Sequence, residues 1–511
     1  MSKYTQKERD GLYELTDAAR AELIGSKYYN KDLAPTSLSE RTWNTYHIAA
    51  LWIGMSVCLP SFAMASSLVG LGLSPWLAVL NVALGNVIVL VPIQMNSHAG
   101  TKYGIPFPVF ARMTFGAVGA HIPALSRAIT ACGWNAIQSW IGGAAIVSLI
   151  AAFAPSFKDL PSAQYIGFFI FLAAVCLVAA RGAHAIRLLE TISAPVLIAL
   201  TLGLFIWSLT LANGGGFGFA DVIRAKTNHD LVAGNGGLLY VFLGGLTANI
   251  AFWATMALNI PDFSRYAVNQ KAQFRGQLYG MPLAMTVCAF VGAFFAQATS
   301  LVGIVNPDGS PVFDPTVALG YLPYPALTCI VALGVLVATI TTNIAANVVA
   351  PANGFSNISP RRVSYAFGVV ISCVIAVLYQ PWNIFGGAAA YIFDWLNVYG
   401  GILAPIAAMF IADYHVVKKR NVDVMALYRG AEGRYWYRSG WNPRAIVAWV
   451  CGFILPTLGG TVLKNSPPLS WIAANGYIIG FAIGFAVYVI LMKSESASFI
   501  GDEEEAAITK R

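Results

Sequence analysis

The sequence predicts an all-α integral membrane protein with twelve transmembrane helices, and three observations lead there. Of its 511 residues 57% are hydrophobic and 11% charged, where a soluble domain has about 25% charged, and the mean hydropathy is +0.65. Windows of roughly 20 residues with few charges recur along the chain, each long enough for a helix to cross a ~30 Å hydrocarbon core. Lys and Arg crowd into every second connection between those windows and are scarce in the others.

In chain order, residues 1–45 are charged and lack both an apolar h-region and a small-residue cleavage site, so a solvated cytoplasmic tail is expected rather than a cleaved signal. The apolar windows follow at 46–71, 76–97, 120–153, 164–181, 187–211, 239–260, 276–303, 324–350, 363–380, 386–414, 443–463 and 470–492. A second solvated tail, 493–511, closes the chain. Basic residues near helix ends are retained on the cytoplasmic side. They populate the N-terminal segment (Lys3, Lys7, Arg9, Arg20, Lys27, Lys31, Arg41) and the connections after windows two, four, six, eight and ten, among them Lys102, Arg112, Arg187, Lys271, Arg275, Arg361, Arg362, Lys418, Lys419 and Arg420. The other connections hold only Lys158, Arg224, Lys226 and Lys464. Both termini are therefore expected on the cytoplasmic side of the inner or plasma membrane.

The same bias accounts for the net charge of +8 without a nucleic-acid partner. Seven scattered cysteines and six unclustered histidines give neither a disulfide framework nor metal spacing. No GxxxxGK[ST], HExxH or GxSxG pattern occurs, so ATP hydrolysis and the common hydrolase chemistries have no support. A transporter or pore is expected, not an enzyme, and no cofactor is implied.

Two windows carry interruption signals. The first reads LWIGMSVCLPSFAMASS, with Gly54 and Pro60 inside it, and the sixth reads FLGGLTANIAFWATMALNIPDF, with Gly244, Gly245, Thr247 and Asn249. If residues 46–211 and 239–414 are two five-helix units, these are the first helices of each, and an odd helix number inverts the second copy. Residues 443–492 then form two additional helices. Gly and Pro also serve ordinary close packing in membrane helices, which leaves that alternative open.

Polar side chains inside apolar windows need a partner, a cavity or a ligand. Trp134 and Gln138, four residues apart, share one helical face. An indole offers a stacking surface and an amide presents donor and acceptor to a ureide edge; interhelical bonding and packing are the alternatives. Phe252 and Trp253 could supply a second aromatic wall. In ATITTNIAANVVAPANG (338–354), Thr341 and Thr342 lie near the Ala338 carbonyl and could present oxygens to a small hard cation together with carbonyls of an unwound first helix near Gly54 and Val57. Back-bonding of these hydroxyls to the carbonyl at i−4 is the competing reading. Asn343 and Asn347 could reach a substrate or a neighbouring helix. On an ideal helix Thr342 and Asn347 are about 140° apart, so they are expected to face different partners, with Asn353 at the cytoplasmic exit. Asp394, an intramembrane carboxylate, is a possible proton site or a structural acid near the outer interface.

Taken together, ATITTNIAAN, the Trp134/Gln138 pair, FARMTFG (110–116) and ADYHVVKKRNVDVMALY (412–428) resemble nucleobase:cation symporter family one over residues 36–490. The resemblance implies the LeuT fold, a 5+5 inverted repeat plus two C-terminal helices, with alternating access around a midplane site. By the same similarity, Gly54, Val57 and Ala338 carbonyls and the Thr341 and Thr342 hydroxyls would hold Na⁺. Trp134 would stack on the substrate ring, Trp253 would wall it, Gln138 and Asn347 would bond its amides, and Leu396 would close over it from outside. Two departures stand out. Cys58 replaces the amide that family members place in helix one, a weaker hydrogen-bonding group, and Phe252 replaces a glycine. The expected substrates are uracil or allantoin first, then hydantoins and purines, taken up with Na⁺. H⁺ coupling and an uncoupled facilitator or pore are the alternatives. The expected partners are thus a heterocyclic small molecule, a monovalent cation and the lipid bilayer.

Overall fold

Helices account for most of the described residues, because in hydrocarbon a backbone N–H or C=O needs a partner and a helix supplies it locally. The computed structural model describes residues 6–29, 33–181, 183–306, 309–358, 363–461 and 466–508. The topology charges Lys3, Lys31, Arg361, Arg362 and Lys464, and the side chains of Lys7, Arg187 and Asn353, lie outside the described set.

The N-terminal segment departs from the expected solvated tail. A hairpin of β1 (Gln6–Arg9) and β2 (Leu12–Leu15) leads into helix α1 (Asp17–Ile24), capped by Thr16, whose hydroxyl accepts from the Ala19 N–H. Leu12, Leu15, Ala19 and Leu23 are buried. Arg41, 4% exposed, donates to the carbonyls of Tyr13, Thr36 and Thr101. Ser26 donates to the Tyr428 carbonyl and the Tyr428 hydroxyl to the Leu33 carbonyl. The segment is docked because Leu15, Ala19 and Leu23 join the same buried cluster as Tyr428, whose carbonyl is 402 residues from Ser26 in sequence, which local pattern cannot reveal. Burial pulls Arg41 down to about 10, so it is still charged at neutral pH.

Helices α2 (Thr45–Ser56) and α3 (Leu59–Gly70) are halves of one apolar stretch, bent by 55°. Pro60 enforces the break: its ring excludes a helical carbonyl at Ser56, while at the start of α3 its missing N–H costs nothing. The Cys58 N–H turns to the Ser56 carbonyl at 3.0 Å, so the Gly54 carbonyl loses its helical partner. Next come α4 (Pro75–Tyr103), ended by Gly104 at φ 69°, and α5 (Phe107–Phe115), a buried helix where only a connection was expected. Helices α6 (His121–Ala151), α7 (Ala163–Ala180) and α8 (Ala183–Gly214) follow.

The second predicted interruption is present: α9 (Leu238–Phe252) and α10 (Ala254–Asn259) part at Trp253, at φ −98° and ψ 11°. Then follow α11 (Gln270–Leu301), α12 (Pro325–Asn343), a π turn (Ile344–Val348), α13 (Val349–Ile358) and α14 (Tyr365–Leu378). A second π segment (Ala390–Leu396) leads into α15 (Asn397–Ile411). Last are α16 (Pro443–Thr461), α17 (Pro467–Ala474) and α18 (Gly476–Ile508), so the final helix continues into the stretch expected as a tail.

Among the described residues, 8 helices are long and apolar enough to cross a membrane, and the bent α2/α3 pair makes 9. The remaining predicted windows hold the shorter apolar helices 238–252, 365–378 and 443–458. Helix α11 packs along α2, α3 and α4, while α15 packs along α16 and α18. The α3/α11 contact is backbone-close: a Cβ at Gly292 would lie 2.2 Å from the Phe62 carbonyl oxygen, and the Ser66 hydroxyl donates to the Gly292 carbonyl at 2.8 Å.

Candidate functional site

The two helix breaks, the π turn after α12 and the middle of α6 enclose a small buried cavity with about 40 Å³ of free space. Seven of the residues singled out from the sequence line it: Cys58, Trp134, Gln138, Phe252, Trp253, Thr342 and Asn347. Met55, Thr255, Met256 and Ala346 join them without having been expected. Met55 adjoins the predicted interruption at Gly54, and Thr255 and Met256 follow the observed break at Trp253 by two and three positions; Ala346 belongs to the π turn, which left no signal.

The aromatic side is built around Trp134. Its Nε1 donates to the Tyr399 hydroxyl at 3.2 Å, and that hydroxyl donates to the Ala251 carbonyl at 2.9 Å. Phe252, Tyr391, Trp395 and Tyr399 meet the indole at interplanar angles of 70° to 88°. Trp395 reaches it because position 133 is glycine, where a Cβ would fall 2.2 Å from the Trp395 ring. Trp253 is set against Phe252 and Trp52, both with ring centroids 5.1 Å away, and its Nε1 donates to Asn86 Oδ1 at 2.7 Å. Tyr399 and Trp395 were legible only as an i, i+4 aromatic pair in DWLNVYG.

The polar side is incompletely satisfied. Gln138 Oε1 and Thr342 Oγ1 are buried and have no hydrogen-bond partner among the described residues. A buried acceptor or hydroxyl left unpaired costs about 1–3 kcal/mol, so both favour an incoming donor or ion. Cys58 Sγ lies 3.3 Å from the Ser61 hydroxyl. Asn347 donates to Asn343 Oδ1 at 3.2 Å, and Asn343 donates to Asn135 Oδ1 of α6 at 2.7 Å. Asn343 thus ties two helices, while Asn347 also lines the cavity.

The expected division of labour between Thr342 and Asn347 is corrected here: both face the same cavity. The 140° separation assumed an ideal α-helix. The π turn from Ile344 to Val348 closes i→i+5 bonds, advances less per residue and brings Asn347 round toward Thr342.

Of the expected cation set, Val57 and Ala338 are buried in one cluster with Leu197 and Cys288, so the α2/α3 break adjoins α12. Thr341 donates to the Val337 and Ala338 carbonyls at 3.0 and 2.9 Å, the back-bonded arrangement. Gly54 has its carbonyl released by the break, and a Cβ there would meet nothing within 4 Å. Two other expected residues are not cavity residues. Leu396 is fully buried in the core outside the lining. Asp394, in the π segment Ala390–Leu396, is exposed, and Tyr240 is in its electrostatic neighbourhood. The π segment again explains the difference, since it turns Trp395 and Tyr391 toward Trp134 instead.

Sequence reading passed over Arg127. It is 3% exposed, its Nη2 donates to the Ala346 carbonyl beside the cavity at 3.1 Å, and Nε and Nη1 have no partner among the described residues. A lone arginine in the apolar run of α6 was the signal.

The sequence profile of the family described as "Permease for cytosine/purines, uracil, thiamine, allantoin" matches residues 35–485. The purine-uracil permease NCS1 of Arabidopsis thaliana is 38% identical over 481 residues, covering 91% of this chain and 77% of that one. The allantoin permease of Bacillus subtilis is 32% identical, covering 91% and 93%. Among solved structures, Mhp1, a nucleobase-cation-symport-1 family transporter in a closed conformation with bromovinylhydantoin bound, superposes with a TM-score of 0.74 at 23% identity, over 93% of this chain and 97% of that one. At that identity the likeness establishes the all-α membrane-transporter fold of the LeuT type.

Proposed function

We propose, because the chain belongs to nucleobase:cation symporter family one, the multi-pass membrane permeases for cytosine/purines, uracil, thiamine and allantoin, that it imports uracil or allantoin, ahead of hydantoins and purines, by Na⁺ symport. It is a permease and not an enzyme. In this reading twelve helices cross the inner or plasma membrane, both termini are cytoplasmic, and the cavity opens alternately to either side.

The observation that supports it is one buried cavity with aromatic rings on one side and the unpaired Gln138 Oε1 and Thr342 Oγ1 on the other. A flat ureide stacks on Trp134, donates an N–H to Gln138 and meets Asn347. Na⁺ takes the released Gly54 carbonyl together with Val57, Ala338, Thr341 and Thr342, and the Thr341 hydroxyl swings from its back-bonded position to reach it. Coupling follows if ion and ring stabilise the same closed conformation, since a ligand shifts an equilibrium only by its differential affinity for the two states. No carboxylate lines the cavity among the described residues, and Asp394 is exposed. That favours Na⁺ over H⁺.

The test is uptake of radiolabelled uracil and allantoin by the purified protein in liposomes, with Na⁺ and pH gradients imposed separately. Concentrative uptake that requires Na⁺, and a Thr342→Val variant with a strongly raised Na⁺ requirement, are expected. Uptake that follows the pH gradient and ignores Na⁺ overturns the ion assignment; equilibration without accumulation overturns symport.

A further inference from the structure

A second and larger cavity, about 390 Å³, opens on the Lys- and Arg-rich face of the bundle, away from the substrate site. It lies between the last third of α4, the first two turns of α11 and the segment that follows α15. Its rim carries Lys271, Arg275 and Arg420, all exposed, and its floor carries the half-buried His98 and His415. No carboxylate lines it, and none of the three rim cations is in an ion pair among the described residues.

Arg420 is held in place. Its Nε donates to His415 Nδ1 at 3.1 Å, which leaves His415 Nε2 to carry the proton it donates to the Met95 carbonyl at 3.0 Å. Its backbone sits at φ 64°, a conformation a non-glycine residue adopts at a cost. Lys102 Nζ and the Tyr103 hydroxyl stabilise it, donating to the Arg420 carbonyl at 3.0 and 2.7 Å. Lys271 and Arg275 lie in the opening turns of α11, where the positive end of the helix dipole already disfavours cations. Three cations gathered at such a place without a counter-charge call for an anion.

The cavity wall includes Phe274, 50% exposed, and beyond it the exposed Val91 and Leu278 continue the apolar outer surface of α4 and α11. The cations therefore stand at the boundary between polar face and hydrocarbon. Basic pockets between helices at that level bind anionic headgroups, and guanidinium–phosphate bonds are among the stronger charge-assisted ones. We propose that this cavity holds the phosphate of an anionic phospholipid headgroup, with Lys271, Arg275 and Arg420 as its ligands and the acyl chains lying along Phe274. On the topology proposed above, this is a lipid of the cytoplasmic leaflet.

The experiment is native mass spectrometry of the full chain released from bilayers of equal parts phosphatidylcholine and phosphatidylglycerol, a readout independent of substrate and coupling ion. Several-fold retention of phosphatidylglycerol over phosphatidylcholine is expected, lost in Lys271→Gln/Arg275→Gln and reduced in Arg420→Gln. Lys271 and Arg275 are exposed, so the double variant keeps its fold, checked by an unchanged melting temperature in detergent. Equal retention of the two lipids, the same preference in wild type and both variants, or displacement of the bound lipid by millimolar inorganic phosphate each overturns the assignment.

Discussion

Trp134 is fixed at its rim. Its Nε1 is bonded to Tyr399, and the four rings around it all stand steeply to its plane, none in the parallel arrangement a flat ligand takes. Stacking on an aromatic side chain is worth about 1–3 kcal/mol per base. Trp134→Ala is therefore expected to weaken equilibrium binding of the labelled substrate roughly 5- to 150-fold. The fold should persist, because the Tyr399 hydroxyl keeps its bond to the Ala251 carbonyl. Unchanged affinity in Trp134→Ala and in Gln138→Ala removes α6 from the site. Cys58 works in the opposite sense. Its thiol lies 3.3 Å from the Ser61 hydroxyl and offers a substrate a weak hydrogen-bonding group, so Cys58→Asn is expected to change the order of preference among uracil, allantoin and hydantoins, measured by competition.

At the scale of elements, the position of the broken helix depends on how closely α3 approaches α11. A methyl group at Gly292 would meet the Phe62 backbone at 2.2 Å, and backbone cannot rotate away. Gly292→Ala is expected to destabilise the protein by about 1–3 kcal/mol and to lower transport with it, read as a reduced melting temperature in detergent and reduced uptake per molecule. A melting temperature equal to wild type would mean that α3 and α11 separate without cost. The apolar helices were legible because the bilayer dictates their length and composition. The α2/α3 break was legible because Pro60 cannot continue a helix. The π turns were not: one extra residue in a hydrogen-bond ladder leaves no trace in composition, and with them went the true facing of Asn347 and the approach of Trp395 to Trp134. The docking of β1, β2 and α1 was hidden for another reason, since its partner Tyr428 is distant in sequence. Most of the cavity was legible as residue types. Its packing was not, because Tyr399, Asn86 and Asn135 act through helices that sequence order does not place side by side.

At the scale of the whole molecule, coupling is set by charge. On the Na⁺ symport proposed above, uracil and allantoin being neutral rings, one Na⁺ carried with each would move one elementary charge across the membrane, worth about 2.3 kcal/mol per 100 mV. At 1.4 kcal/mol per tenfold, that supports roughly a 40-fold accumulation before any Na⁺ gradient is added. The cavity is compatible with this stoichiometry: it contains no carboxylate among the described residues to offset the charge, and its two unpaired polar groups are neutral. In proteoliposomes with equal Na⁺ on both sides and an imposed interior-negative potential of about 100 mV, uptake is expected to rise toward that ratio and to collapse when the potential is discharged. A plateau independent of potential but dependent on Na⁺ would require a compensating charge to move with each cycle. Arg127 is buried beside Ala346, and its Nε and Nη1 have no hydrogen-bond partner among the described residues. Arg127→Gln is expected to leave the accumulation ratio unchanged, since a resident side chain returns to its starting place each cycle and carries no net charge across; only a second transported ion could cancel the charge of the Na⁺.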